Sequence, residues 1–264
     1  YDRNNFIVAL TTYRDVAAKT TDPFLKERAL YKLACSYLGM NQFDKAIEAL
    51  AAQRKEFPQG TLVADAAFME GETLARRGQY EAALAAYERM LAMPAEPTDK
   101  NLRAAALLRA GQAAARLKQW EKSLDLLSKG ASEKADSPYL PEILLEQGRA
   151  QEQLGRLDEA AELYAAVPGK TSGEPAARAR FLLGRLFARQ EKHNDAIRTF
   201  YEVIYDEQDL PQWQADATYE AARSFEALKN ADQAKKLYCE LVTKYPESDK
   251  RSSAQKRLDA LERH

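Results

Sequence analysis

Small and bulky residues recur along this chain at helical spacing. Six blocks each centre on a small residue, Ala46, Ala83, Ser123, Ala160, Ala196 and Ala234, at intervals of 37, 40, 37, 36 and 38 residues. Twelve residues ahead of each centre stands a second small residue: Ala34, Gly71, Gly111, Gly148, Gly184 and Ala222. Three before the centre is a bulky or ring residue in five blocks, Phe43, Tyr80, Trp120, Leu157 and His193, with Ala231 as the exception. Four after it come Leu50, Tyr87, Leu127, Tyr164, Phe200 and Tyr238. Seven after it the residue is apolar at Met90, Val167, Val203 and Leu241, while Gln53 and Gly130 depart from that rule. Offsets of three, four and seven fall on one face of an α-helix. Two helices approach closely only where side chains are small. Each block therefore predicts two antiparallel helices crossing at the paired small residues.

Punctuation supports this division. Short turns with Gly or Asn, such as Met40-Asn41-Gln42, Arg77-Gly78-Gln79 and Leu154-Gly155-Arg156, separate the two helices of a block. Pro58, Pro94, Pro168 and Pro246 end the second helix. Stretches rich in Pro, Gly, Ser and charge over 94–100, 130–137, 168–174 and 206–212 read as loops. The expected organisation is one continuous array over 1–264, with six helix pairs at 24–58, 62–94, 101–130, 140–168, 175–206 and 213–246. Phe6, Ala9, Tyr13 and Val16 repeat the second-helix offsets, so 1–20 reads as a second helix without its first, suggesting a piece of a longer protein. The segment 248–264 reads as a capping helix with a narrow stripe of Ala254, Leu258 and Leu261.

This pattern resembles the tetratricopeptide-repeat family over nearly the whole chain. Phe43-Asp44-Lys45-Ala46-Ile47-Glu48 and Tyr80-Glu81-Ala82-Ala83-Leu84 are similar to that family's second-helix openings. The resemblance implies an all-α, right-handed superhelix (an α-solenoid) of about fourteen antiparallel helices. It also implies a non-enzymatic scaffold that binds a protein or peptide on a concave face lined by the first helices. One row of those helices holds Tyr31, Phe68, Arg76, Arg116, Arg149, Phe181, Arg185, Arg189, Tyr219 and Arg223, the candidate binding residues. Arginine and aromatic side chains dominate many interfaces because they bury large areas and bond in fixed geometry. Two other uses stay open: the rings as core, and the arginines pairing within their helices, Arg149 with Glu146 or Glu152 and Arg223 with Glu220 or Glu226. The row lacks Asn, which argues against the Lys/Asn clamp that some members close on a C-terminal carboxylate. The ends Phe57-Pro58-Gln59-Gly60 and Tyr245-Pro246-Glu247-Ser248 resemble bacterial envelope members, the Tol-Pal periplasmic coordinators and outer-membrane assembly lipoproteins. That resemblance implies a periplasmic or envelope-associated protein.

Composition narrows the chemistry. The net charge of −1 lacks the basic excess of a nucleic-acid binder. No apolar run approaches the roughly 20 residues that span a bilayer, so no direct membrane insertion is expected. Cys35 and Cys239 are read as small packing residues. His193 takes a ring slot, and His264 is terminal. No grouping of His, Cys and carboxylates has metal-ligand spacing, so neither metal nor cofactor is expected. Pro168-Gly169-Lys170-Thr171 ends like a phosphate-binding loop, but Tyr164 stands where its first glycine belongs and no strand precedes it. Two alternatives to a binding scaffold are a self-assembling repeat protein, associating through its terminal helices, and the regulatory segment of an enzyme.

Overall fold

A computed structural model describes residues 3–94, 99–133, 136–206 and 209–263. Residues 95–98 and 207–208 of the expected loops, 134–135 of another, and His264 lie outside the described residues. Fourteen α-helices follow one another, and there is no strand among the described residues. They are α1 (Arg3–Lys19), α2 (Pro23–Gly39), α3 (Phe43–Glu56), α4 (Val63–Arg76), α5 (Tyr80–Leu91), α6 (Lys100–Arg116) and α7 (Trp120–Glu133). Then come α8 (Leu140–Gln153), α9 (Leu157–Ala166), α10 (Glu174–Arg189), α11 (His193–Asp206), α12 (Pro211–Ala227), α13 (Ala231–Lys244) and α14 (Arg251–Glu262). The chain divides into two compact units, Tyr1–Tyr139 and Leu140–His264. In each, every helix packs on the next in sequence.

The turn between the helices of a pair is built the same way six times. The residue two before the second helix has positive φ: Asn41, Gly78, Lys118, Gly155, Glu191 and Lys229, between 58° and 77°. The amide that follows bonds back five residues, as in Gln42 N to Tyr37 O at 2.9 Å and Asn230 N to Phe225 O at 2.9 Å. The positive-φ amide itself bonds back three, as in Lys118 N to Ala115 O at 3.0 Å. These two bonds satisfy carbonyls that a helix end would leave bare. Three of the six turns place Lys or Glu in the left-handed region, at a cost of about 1 kcal/mol each.

The small slots explain the packing. The centres of all six second helices are fully buried, as are the residues four positions on. A Cβ added to Gly71 or Gly148 would lie 2.5 Å from the ring of Tyr87 or Tyr164, and one added to Gly184 would lie 2.6 Å from Phe200. The ring lies against the bare backbone of the first helix. Small residues also carry the α6–α7 pair, where Ala104, Ala105, Ala106, Ala110, Ala113 and Ala114 are buried.

The two departures from the apolar rule are buried as well. Gly130 is not a loop residue but lies inside α7, which runs on to Glu133. Gln53 is fully buried and donates to Glu27 Oε1 at 3.0 Å. The Glu27 carboxylate also accepts from Thr61 N at 3.1 Å, Thr61 Oγ1 at 3.1 Å and Leu62 N at 2.8 Å. It thereby satisfies amides at the start of α4, whose own N-cap residue, Leu62, offers no side-chain acceptor. Cys35 and Cys239 are free thiols; Cys35 is half-buried, whereas Cys239 is exposed and not the packing residue expected.

Candidate functional site

The predicted row separates by chemistry. Its six arginines, Arg76, Arg116, Arg149, Arg185, Arg189 and Arg223, are exposed, and its four rings, Tyr31, Phe68, Phe181 and Tyr219, are half-buried. A ring at the border of the face that meets the second helix can cover the crossing with one edge still in water. Phe68 meets Tyr87 at a centroid distance of 5.8 Å, Phe181 meets Phe200 at 5.8 Å and Trp213 at 5.6 Å, and Tyr219 meets Tyr238 at 5.8 Å. Each of these three rings thus tops the core of its own pair.

In the first unit, the Arg116 guanidinium lies 5.7 Å from the Tyr80 ring centroid, and Arg76 acts electrostatically on the Tyr87 hydroxyl. Burial raises the Tyr31 hydroxyl pKa well above its ordinary value, and charges at Cys35 and Asp65 add to the shift. A cavity of about 620 Å³ in this unit is lined by Pro58, Gly60, Asp65, Met93, Asp99 and Tyr139 among others, and no residue of the row borders it.

In the second unit, α10 packs on both α8 and α12, which brings Arg149, Arg185 and Arg223 into successive positions of one register. Arg149 donates to Glu146 Oε1 at 3.2 Å, and Arg223 donates to Glu220 Oε2 at 3.1 Å. Both pairs are three residues apart on one helix, and the arginine side chains stay 53% and 49% exposed. The Arg223–Glu220 pair contributes only about 0.2–0.5 kcal/mol, whereas Glu146 is buried and also accepts from Arg178 at 3.4 Å, so it keeps a partner when Arg149 turns to an acidic ligand. The Arg185 guanidinium lies 5.9 Å from the Phe181 ring centroid. Arg189 leaves its own helix and pairs with Glu152 of α8.

The Arg189–Glu152 pair belongs to an arrangement the sequence did not reveal. Tyr164 Oη donates to Glu152 Oε2 at 3.2 Å, and the same carboxylate takes Arg189 from the next first helix. Tyr87 Oη donates to Glu72 Oε1 at 2.6 Å, and Glu72 pairs with Arg109 at 3.4 Å. Tyr238 donates to Glu226, whose Oε2 accepts from Arg257 of α14 at 2.8 Å. Each of these three tyrosines thus reaches an ion pair that links its first helix to the following one. Burial, reinforced by the adjacent carboxylate, raises all three hydroxyl pKa values far above the ordinary range. The hydroxyls stay neutral donors.

Helix pairs with small crossing residues and a shared turn define the repeat proteins built of helix–turn–helix units. A tetratricopeptide-repeat profile matches residues 31–100, 68–139, 134–175 and 145–210, and a second profile of the same name matches 216–248. The chain belongs to the tetratricopeptide-repeat family. No curated protein matches it in sequence. Among solved structures it is similar to the C-terminal part of a tetratricopeptide-repeat protein from Cytophaga hutchinsonii, with 14% identity and a TM-score of 0.74 over 95% of each chain. PilF of Pseudomonas aeruginosa aligns at 16% identity and a TM-score of 0.61, over 88% of this chain and 97% of that one. YrrB, described as a tetratricopeptide-repeat protein with an unusual peptide-binding site, aligns at 20% identity and a TM-score of 0.57, over 80% and 99%. Among the described residues no helix is long and apolar enough to cross a membrane, and no group of three or more His, Cys, Asp or Glu could hold a metal ion.

Proposed function

We propose that this chain is a non-catalytic scaffold that binds an acidic peptide or protein segment along the first helices of its second unit. The observation that carries this reading is the exposure of Arg149, Arg185 and Arg223 at one register of three first helices, with α10 in contact with both α8 and α12. Half-buried Phe181 and Tyr219 lie beside them and offer apolar surface. Arg223 is held only by a weak pair within its own helix, and Glu146 keeps Arg178 when Arg149 leaves it, so a partner carboxylate competes for both arginines on favourable terms.

The test compares the wild type with an Arg149→Ala/Arg185→Ala/Arg223→Ala variant. A fluorescent Glu-rich peptide is titrated at two salt concentrations, and partners are captured from extract by crosslinking. The expected result is weaker, less salt-sensitive binding and lost capture in the variant, with an unchanged melting curve. Equal binding and recovery from both proteins would remove the arginines from the interface. The aromatic-Pro junctions around Phe57-Pro58 and Tyr245-Pro246 support a bacterial, envelope-associated setting, which cell fractionation with an antibody to the chain would check.

A further inference from the structure

The cavity of about 620 Å³ in the first unit opens at the starts of α4 and α6. Val63 of α4, Leu102 of α6, and Met93 and Tyr139 of the loops give it apolar walls, and Asp65 and Asp99 give it charge. Its volume and its mixture of apolar wall with a few polar groups are those of a ligand site. Among the described residues no lysine or arginine borders it. A third carboxylate lies behind the wall: a Cβ on Gly60 would fall 2.1 Å from Glu27 Oε1. The groups that bond Glu27, from Gln53, Thr61 and Leu62, are all uncharged.

The other repeats show what a carboxylate in this place is given. Six residues before the small slot of a first helix stand Asp65 in α4, Glu142 in α8 and Asp216 in α12. Glu142 accepts from Arg178 of α10 at 3.2 Å, and the same guanidinium donates to Glu146 at 3.4 Å. Asp216 lies 3.9 Å from the ammonium of Lys250, the N-cap residue of α14. Lys250 comes 34 residues after Asp216, and 34 after Asp65 comes Asp99, the N-cap residue of α6. Two carboxylates of this register thus receive a cation from the start of the next helix, and the third meets another carboxylate. Burial raises the pKa of both Asp65 and Asp216. Lys250 opposes the rise at Asp216, whereas at Asp65, against one backbone hydrogen bond, Asp99 and Glu27 add to it.

We infer that this cavity receives an arginine side chain from an extended segment of a partner protein, its guanidinium bridging Asp65 and Asp99 and supplying the cation that Lys250 supplies to Asp216. A planar guanidinium presents a fork of donors that two carboxylates can share, as Arg178 shows between Glu142 and Glu146, and it is less strongly hydrated than an ammonium. The apolar walls suit its carbon stem, and the Tyr139 ring adds attraction for a cation. A metal ion fits less well: among the described residues no group of three or more His, Cys, Asp or Glu could hold one. The inference does not rest on the three arginines of the second unit, which call for a ligand of opposite charge.

The probe is a pool of acetylated, amidated heptapeptides with arginine fixed at the centre and uncharged residues elsewhere. A second pool carries citrulline at the centre, which has nearly the same shape without the charge. Amide shifts are followed by NMR in the wild type, in Asp65→Asn, and in Asp99→Lys, which copies the Lys250 arrangement into the first unit. Melting curves check that both variants fold. The arginine pool is expected to move the amides of Asp65, Asn101 and Tyr139 in the wild type. The citrulline pool should bind at least about tenfold more weakly, and each folded variant should lose at least about tenfold in affinity for the arginine pool, as for one hydrogen bond to a charged group. No movement at these amides, equal binding of the two pools, or equal binding by wild type and variants overturns the proposal. Spermidine moving the same amides at lower concentration than the arginine pool would assign the cavity to a free amine, and that result overturns it as well.

Discussion

Two kinds of helix pair alternate along the chain. The pairs α4–α5, α8–α9 and α12–α13 bury Tyr87, Tyr164 and Tyr238 at the crossing, whereas α2–α3, α6–α7 and α10–α11 bury Leu50, Leu127 and Phe200 there. The backbone arrangement and the turn are the same in both. The tyrosine pairs differ in that a buried hydroxyl needs a hydrogen-bond partner. It finds Glu72, Glu152 or Glu226, and that carboxylate also holds an arginine of the next first helix. Leu50, Leu127 and Phe200 make no such demand, and the polar contacts of their pairs involve other side chains, as between Gln53 and Glu27 or Arg103 and Glu133. In α6–α7 the polar contact instead lies at the centre, where Ser123 Oγ donates to Gly111 O at 2.8 Å. One packing geometry therefore serves both a crossing whose central side chain is apolar and one whose ring passes a polar link to the next helix.

The largest effect should come from closing the slot under a ring. Gly148→Val places atoms where Tyr164 lies and should destabilise by about 3 kcal/mol, read from urea unfolding. In the Leu50 pair the slot already holds Ala34, and Ala34→Gly should cost only about 1 kcal/mol. Similar losses at both sites would mean that the ring shifts readily to admit an added side chain.

Next in size is the carboxylate. Glu152→Ala strands the Tyr164 hydroxyl in the core and leaves Arg189 without its partner, at a cost of about 2 kcal/mol. Tyr164→Phe removes the demand itself and should cost about 1 kcal/mol. If Glu152→Ala proves the milder change, the hydroxyl has another acceptor and the link is not what holds it. The same group sets a pH dependence. The three tyrosine pKa values are raised by folding, so their stabilisation is complete below the unfolded value of about 10 and falls as pH climbs above it. Replacing all three by Phe should flatten the loss of stability measured between pH 9 and 11.

The smallest effect belongs to the turns, which the two kinds of pair share. Lys118→Gly in an apolar pair should stabilise by about 1 kcal/mol, and Gly155→Ala in a tyrosine pair should destabilise by a similar amount. Thermal unfolding of the two variants should move in opposite directions. Movement in the same direction would mean that the turn's conformation depends on the pair it joins.

The helices were legible because their signals are local. Offsets of three, four and seven mark a buried face, and Gly or Asn marks a turn, whichever residues lie across the contact. The turns at Lys118, Glu191 and Lys229 were less legible, since those residues do not prefer positive φ and the identical bonds around them impose it. In the candidate row, residue types alone could not separate exposed arginines from rings that top the core.

By itself the sequence determined the paired small slots, the helices that cross at them and the family to which the chain belongs, because each depends on spacing along one or two helices. Only the tertiary structure decided which carboxylate meets each tyrosine. Glu72 stands one residue after its slot, but Glu152 and Glu226 stand four after theirs, so no fixed offset announces them. Their arginine partners come from a helix some thirty residues further on: Arg109 is 37 residues from Glu72, Arg189 is 37 from Glu152, and Arg257 is 31 from Glu226. Long side chains can meet from several registers, and which of them do so is set by how one packed helix is placed against the next.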